Sequence, residues 1–287
     1  MKLSELYQSK KCVFSIECFP PKQTENYPKM QATLRQMAAL NPDFISVTYG
    51  AGGSAGGVST VEIASYIKNE LHIEPMAHFV CMGSNEAKMT ADLAALAATG
   101  VQNVLALRGD ATPLRPQSPD FVHASDLTAF IRYRQPGFGI AGACYPEGHP
   151  ESANVQADLD GLKRKVAAGA DHLLSQLFFD NYQYYRFVNR ARKAGLDVPI
   201  SAGVMPIVRK SQIERTVALS SASLPAEFTR MIARYQNDEQ ALFDAGVDYA
   251  VRQLRDLIEG GADGVHLYAM NNFTVAQKVY DGIRDLL

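Results

Sequence analysis

The stretch Phe14-Ser-Ile-Glu17-Cys-Phe-Pro20-Pro21 is a short apolar run of β-strand character that ends at two consecutive prolines. Because proline has no N–H to donate to a neighbouring strand, the run predicts a strand that stops at Phe19. Glu17 is the only charged residue in the stretch, and it lies near the predicted carboxyl end of the strand. This first strand therefore carries an acid where a strand buried on both faces would have an apolar side chain.

Seven further apolar runs follow, and segments with helical periodicity separate them. The eight runs are 12–19, 43–49, 75–81, 102–108, 138–145, 171–179, 198–205 and 263–270. The helical segments include 85–98 and 153–168, and in the second of these Val155, Leu159, Leu162 and Val166 fall on one stripe. Eight strands that alternate with helices are typical of a (β/α)₈ barrel. A doubly wound sheet is the alternative, although no GxGxxG motif follows the first strand.

The interval between the seventh and eighth runs is longer than the others. It contains three segments, 211–221, 225–235 and the amphipathic 239–259, which predict extra helices rather than a second domain. No linker rich in proline, glycine or serine divides the chain. We therefore predict an α/β fold with one domain, residues 1–287, built as a TIM-type barrel with extra helices between strands 7 and 8.

The composition excludes several classes of protein. The chain has 287 residues, is 47% hydrophobic and 20% charged, and has a net charge of −2, which gives no electrostatic reason to expect nucleic acid or a membrane surface as partner. No apolar run approaches the ~18 residues of a membrane span, so we expect a cytoplasmic protein. The four cysteines form no CxxC pair and predict buried, reduced thiols. They are Cys12, Cys18, Cys81 and Cys144.

In barrels of this type the reacting groups lie at the carboxyl ends of the strands. The polar residues at these positions are Glu17, Thr48, Tyr49, His78, Arg108, Asp110, Tyr145, Glu147, His149, Gln176, Asp180, Tyr268, Asn271 and Asn272. They suit a nucleotide cofactor and a polar heterocycle better than a metal, because His78 and His149 are far apart in the sequence and no set of carboxylates lies at zincin spacing from them. We therefore predict no metal site.

Each candidate also has a structural alternative. Glu17, among apolar neighbours, either has a raised pKa and acts as a general acid or pairs with a basic residue. Arg108-Gly109-Asp110 either forms an ion pair or lets a ligand approach the glycine backbone. His78, in an apolar strand, is equally consistent with a core histidine.

Two loops could likewise either contact a ligand or have only a structural role. The glycine-rich segment 50–57 precedes a predicted helix start at Ser59-Thr60, so its backbone amides suit a phosphate group, but a lid or a plain linker is equally consistent. Tyr145-Pro-Glu147-Gly-His149 either contacts a ligand or is only a rigid turn.

Six ordered motifs resemble those of the methylenetetrahydrofolate reductase family, from about residue 12 to the end of the chain. The motifs are Phe-Ser-Ile-Glu17-Cys-Phe-Pro-Pro, Ser46-Val-Thr-Tyr-Gly50, Leu107-Arg-Gly-Asp110, Ala143-Cys-Tyr-Pro-Glu147-Gly-His149-Pro, Leu162-Lys-Arg-Lys-Val-Ala-Ala-Gly-Ala170 and Gln176-Leu-Phe-Phe-Asp180. The resemblance implies a bacterial-type catalytic domain. It would be a (β/α)₈ barrel that holds FAD and reduces 5,10-methylenetetrahydrofolate to 5-methyltetrahydrofolate for methionine synthesis. It also implies NADH or NADPH as reductant and a homo-oligomer.

The resemblance further implies roles for individual residues. Glu17 matches the general acid that protonates the folate nitrogen, and Asp110 matches the carboxylate between flavin and pterin. The implied substrate-binding residues are Gln176, Tyr268 and Lys210. The implied FAD-binding residues are Thr60, His78, Arg108, Gly109, Asp110, His123, Tyr145, His149, Asp158, Arg164 and Lys165. Asp158 and Lys165 share one stripe of a predicted helix, which is compatible with this assignment.

The chain departs from the family pattern at positions expected near the folate. Lys210 stands where relatives often have an aromatic residue, and Asn272 where they often have arginine. These changes support a second hypothesis, an FAD-binding electron-transfer subunit that needs a partner protein for folate reduction. The presence of Glu17, Asp110 and Gln176 favours the complete reductase.

Overall fold

Eight parallel strands close into a barrel in sequence order, with β1 paired to both β2 and β8. A computed structural model describes residues 1–49, 57–110, 116–213, 216 and 222–287. The strands are β1 (Val13–Cys18), β2 (Phe44–Val47), β3 (Glu74–Val80), β4 (Asn103–Leu107), β5 (Gly139–Cys144), β6 (His172–Ser175), β7 (Ile200–Val204) and β8 (Gly264–Leu267). The closed sheet confirms the predicted (β/α)₈ barrel and rules out the doubly wound sheet, which is open.

Helices surround the barrel and also cover one end of it. They are α1 (Leu3–Ser9), α2 (Tyr27–Ala38), α3 (Thr60–Asn69), α4 (Glu86–Ala98), α5 (Ala124–Arg134), α6 (Val155–Ala167), α7 (Asn181–Lys193), α8 (Ala226–Tyr235), α9 (Glu239–Glu259) and α10 (Phe273–Ile283). Helices α8 and α9 are two of the extra helices predicted between strands 7 and 8. The third predicted segment, 211–221, and the loop 50–57 lie largely outside the described residues.

Strand β1 ends at Cys18, one residue earlier than the prolines alone require. The backbone of Phe19 binds the side chain of Asn271 instead of a neighbouring strand: Phe19 N donates to Oδ1 (3.1 Å) and Nδ2 donates to Phe19 O (2.8 Å). Asn271 has φ +53°, a conformation that asparagine tolerates better than most residues. This candidate site residue therefore joins the ends of β1 and β8.

The amino-terminal end of the barrel is closed by α1. Leu3 and Leu6 of this helix pack with Phe44 and other apolar residues inside the barrel. Polar contacts fix the helix in place, because Leu3 N donates to Asn103 Oδ1 (2.9 Å) and Tyr7 Oη lies 2.7 Å from Ser201 Oγ. Within the described residues, α1 therefore covers the amino-terminal end of the barrel, and the carboxyl end of the strands carries the opening described below.

The apolar stripe predicted on α6 is only partly buried. Leu162 is buried and Leu159 and Val166 are half-buried against the core, whereas Val155, at the first turn, is 50% exposed. All four cysteines are buried and free, as predicted. No helix within the described ranges is long and apolar enough to cross a membrane.

Candidate active site

A cavity of about 590 Å³ opens at the carboxyl end of the strands, within the size range of small-molecule sites. All but two of the residues to which the family resemblance assigns a role line this cavity. They are Glu17, His78, Arg108, Gly109, Asp110, His123, Tyr145, His149, Asp158, Arg164, Lys165, Gln176 and Tyr268. The barrel thus brings together residues that lie in or directly after six of its strands, on α6 and at the start of α5.

The two exceptions are Thr60 and Lys210. Thr60 lines a smaller neighbouring cavity of about 90 Å³, which shares His78 with the large one, and its hydroxyl donates to Thr48 O (3.0 Å). Thr48 itself lines the large cavity. Lys210 is exposed after β7 and lines neither cavity. A role for Lys210 in substrate binding stays a prediction that this arrangement does not favour.

Glu17 lies at the floor of the cavity with 15% of its side chain exposed. Its Oε2 is 3.5 Å from His78 Nε2 and 3.9 Å from His266 Nε2. Burial lowers the pKa of His78 to about 4, so this ring is uncharged at neutral pH. His78 is therefore not the cationic partner that a structural role for Glu17 would require.

His266 and two serines, Ser15 and Ser46, lie beneath Glu17 and form a buried network that the sequence did not reveal. The Nδ1 atom of His266 is 2.7 Å from Ser15 Oγ, and its Nε2 atom is 3.3 Å from Ser46 Oγ. All three residues are fully buried. Strand alternation was the available signal, because Ser15 lies two residues before Glu17 and faces the same side of the sheet.

One wall of the cavity carries three cations, contributed by β4 and α6. Lys165 donates to Ala143 O (2.7 Å), and burial lowers the pKa of its ammonium group. Arg108 pairs with Glu151, a residue not predicted from sequence, at 2.5 Å, and this contact raises the pKa of the guanidinium group. Arg164 is exposed at the rim. Such a wall suits an anionic ligand.

Arg108 pairs with Glu151 and not with Asp110, so the ion pair considered for Arg108-Gly109-Asp110 does not form. Gly109 has φ +82°, and a Cβ atom there would lie 2.4 Å from Val80 Cγ1. The turn therefore requires glycine for two reasons, backbone conformation and space. Asp110 is exposed at the rim of the cavity.

Tyr145 and His149 form an uncharged aromatic pair in the cavity wall. Their ring centroids are 4.6 Å apart in an edge-to-face arrangement. Burial raises the pKa of Tyr145 to about 12 and lowers the pKa of His149. The backbone N–H of Glu151 donates to His149 Nδ1 (3.1 Å), which leaves the proton of the neutral ring on Nε2.

Gln176 and Tyr268 line the cavity with Glu17 and are held by backbone atoms. Gln176 Oε1 accepts from Leu177 N (2.9 Å), so its amide N–H groups are the part of the side chain that remains for a ligand. The hydroxyl of Tyr268 donates to Ser175 O (2.8 Å).

Other polar residues at the strand ends have structural contacts instead. Glu147 accepts from Ser223 N (3.0 Å), Asp180 caps α7, and Asn272 caps α10 through Val275 N (3.2 Å). Asn272, where relatives often have arginine, thus stabilises the start of α10. Within the described residues, no group of three or more His, Cys, Asp or Glu could hold a metal ion.

These features define a class, a (β/α)₈ barrel with a polar ligand cavity at the carboxyl end of its strands. The family model of methylenetetrahydrofolate reductase matches residues 2–284. The chain therefore belongs to the methylenetetrahydrofolate reductase family, as the sequence motifs predicted.

Curated relatives agree with this membership. The chain is 33% identical over 288 residues to methylenetetrahydrofolate reductase (NADH) 1 of Arabidopsis thaliana, a match that covers 94% of this chain and 48% of the plant protein. It is 32% identical over 265 residues to 5,10-methylenetetrahydrofolate reductase of Escherichia coli K12, a match that covers 92% of this chain and 88% of the bacterial protein. The chain thus spans about half the length of the plant relatives it matches.

A solved structure shares the fold. It is an uncharacterized protein from Clostridium thermocellum that binds two copies of 5-methyl-5,6,7,8-tetrahydrofolic acid. Its TM-score is 0.71 at 12% sequence identity, with 99% of this chain and 98% of that chain covered.

Proposed function

We propose that this protein is a flavin-dependent methylenetetrahydrofolate reductase that converts 5,10-methylenetetrahydrofolate to 5-methyltetrahydrofolate with NADH or NADPH and serves methionine synthesis. One observation carries the proposal: Glu17 lies on the floor of a cavity that also contains Gln176 and the cationic wall. Family membership supports the reaction, and the name of the Arabidopsis relative supports NADH as reductant.

The cavity suits FAD on its cationic side. Arg108, Arg164 and Lys165 would hold the pyrophosphate, and Asp158 on the same helix as two of them would bind ribose hydroxyls. His78 Nε2 is buried and has no hydrogen-bond partner within the part of the chain that the structure describes, so it is available to a ligand. When bound, FAD would accept hydride from the nicotinamide and donate it to the folate.

Glu17 would act as the general acid on the folate. It lies in a mostly enclosed position beside a neutral His78, so its carboxyl group can serve a ligand nitrogen rather than an ion pair. Transfer of its proton to the folate nitrogen would open the methylene bridge. The N–H groups of Gln176 would donate to an acceptor on the pterin, and Asp110 would contact both flavin and folate at the rim.

A product assay tests the proposal. Purified protein is supplied with FAD, 5,10-methylenetetrahydrofolate and NADH or NADPH under anaerobic conditions, and the folates are separated by chromatography. We expect 5-methyltetrahydrofolate to form in proportion to the nicotinamide oxidised. Absence of this product with both nicotinamides, from protein that binds FAD, would contradict the proposal.

The second candidate remains the FAD-binding electron-transfer subunit that needs a partner protein. Lys210 does not line the cavity and the side chain of Asn272 caps α10, so this arrangement does not favour a folate contact from either residue. Turnover by the isolated protein would reject this candidate. From the family resemblance we also propose that the protein is cytoplasmic and forms a homo-oligomer. Light scattering on the purified protein measures its molar mass and so tests the oligomeric state.

A further inference from the structure

Ser175, the last residue of β6, joins three neighbouring strands at the cavity floor. It is fully buried, and it lines the cavity. Its Oγ accepts from Gly203 N of β7 (2.8 Å) and donates to Gln176 O (3.0 Å). Its carbonyl oxygen accepts from the hydroxyl of Tyr268, which follows β8 (2.8 Å).

Gly203 leaves the space through which Tyr268 reaches Ser175. A Cβ atom at position 203 would lie 2.4 Å from Ser175 O and 2.6 Å from Tyr268 Cε2. The tyrosine ring therefore passes directly over the backbone of β7. The hydroxyl at the end of this closely packed ring donates to the carbonyl of Ser175.

Gln176 is held from both sides of its backbone. Its N–H donates to Cys144 O of β5 (2.8 Å), and its carbonyl accepts from Ser175 Oγ. Its side-chain oxygen is already bound to Leu177 N. The direction of its remaining amide N–H groups therefore depends on the backbone that Ser175 fixes.

We propose that Ser175 is a positioning residue for the folate ring: it sets Gln176 and Tyr268 on the cavity floor beside Glu17. The proposal rests on the proposed function. Its effect is specific to the folate, because the cationic wall is held by other contacts. Arg108 binds Glu151, and Lys165 binds Ala143 O.

The test compares Ser175→Ala with Ser175→Thr, which keeps a hydroxyl group. Stopped-flow traces give the rate of flavin reduction by NADH and the concentration of methylenetetrahydrofolate that half-saturates flavin reoxidation. For Ser175→Ala we expect this concentration to rise about tenfold, the effect of one buried hydrogen bond, while flavin reduction changes less than about twofold. Ser175→Thr should restore folate half-saturation.

A matched control is Ser201→Ala. Ser201 is also a buried barrel serine with a side-chain hydrogen bond, to Tyr7, but it lies at the closed end and outside the cavity. Its loss should lower thermal stability and leave both half-reactions unchanged. Equal behaviour of the two alanine variants, or equal losses in both half-reactions of Ser175→Ala, would overturn the positioning role.

Two further outcomes are separable. If Ser175→Ala does not fold, Ser175→Cys provides the test, because it keeps a side chain at this position and weakens both hydrogen bonds of Oγ. Folate half-saturation should then rise severalfold with flavin reduction intact, and an unchanged value would overturn the proposal. Failure of the unsubstituted protein to reoxidise with folate would instead refute the proposed function.

Discussion

Replacement of Glu17 by glutamine removes the proton donor and keeps the size of the side chain. The structure predicts little loss of stability. The nearest basic group, His78 at 3.5 Å, has a pKa of about 4 and is uncharged at neutral pH. No ion pair with His78 is broken, and His266 Nε2 lies 3.9 Å away, beyond hydrogen-bond distance, so we expect the free energy of unfolding to change by less than about 1 kcal/mol.

The expected catalytic effect is large and confined to one half-reaction. A positioned general acid contributes roughly 10²–10⁴-fold, which is about 3–5 kcal/mol of activation free energy. Glu17→Gln should lose this factor in flavin reoxidation by methylenetetrahydrofolate. Hydride transfer from nicotinamide to flavin requires no proton on the folate nitrogen, so flavin reduction should remain within about threefold.

The assay is stopped-flow absorbance of each half-reaction on protein with matched flavin content. Glu74→Gln is a suitable control, because the Glu74 side chain is 14% exposed against 15% for Glu17 but begins β3 at the opposite end of the barrel. Glu74 pairs with Lys68, so its variant should lose stability and keep both half-reactions. Reoxidation of Glu17→Gln by folate at the parent rate would refute the acid role.

Four other substitutions test separate parts of the site. Asp110→Asn should slow folate-dependent reoxidation more than flavin reduction, and equal large losses in both would count against contact with both ligands. His78→Gln should remove a pH dependence of stability. The folded pKa of about 4 lies below the ordinary value near 6.5, so the unfolded chain binds more protons and the flavin-free parent loses about 3 kcal/mol as pH falls from 6.5 to 4. Parallel acid-unfolding profiles of parent and variant would contradict this. Gly109→Ala should lower the free energy of unfolding by about 2–4 kcal/mol, because position 109 has a positive φ and the new Cβ atom clashes with Val80. When Val80→Ala is combined with it, the part of the loss that comes from the clash should be regained and the part that comes from the positive φ should remain. Full recovery, or no loss at all, would show that backbone conformation at Gly109 is unimportant.

The sequence was sufficient for the barrel, because strands of a parallel sheet are buried on both faces and appear as separate apolar runs. It was less informative about the ends of elements. Strand β1 stops before Phe19 because Asn271, far away in the sequence, binds the Phe19 backbone. Asn272 and Asp180 were candidates for the site, but their side chains instead accept hydrogen bonds from backbone N–H groups in the first turns of α10 and α7.

The family motifs placed the cavity residues well, whereas residues that support them were missed. Ser15 and His266 are 251 positions apart and meet only because β1 and β8 close the barrel. Glu151 lies on a loop, and its pairing with Arg108 depends on how that loop folds. Contacts of this kind follow from strand order and closure, which periodicity alone does not specify.

Anaerobic titration of the flavin-loaded protein tests the reductase function most directly. NADH or NADPH is added until the flavin absorbance is bleached, and methylenetetrahydrofolate is then added without oxygen. We predict that the flavin absorbance returns in proportion to the folate added. Protein that binds no FAD, or a bleached flavin that stays reduced when the folate is added, would contradict the proposed reductase.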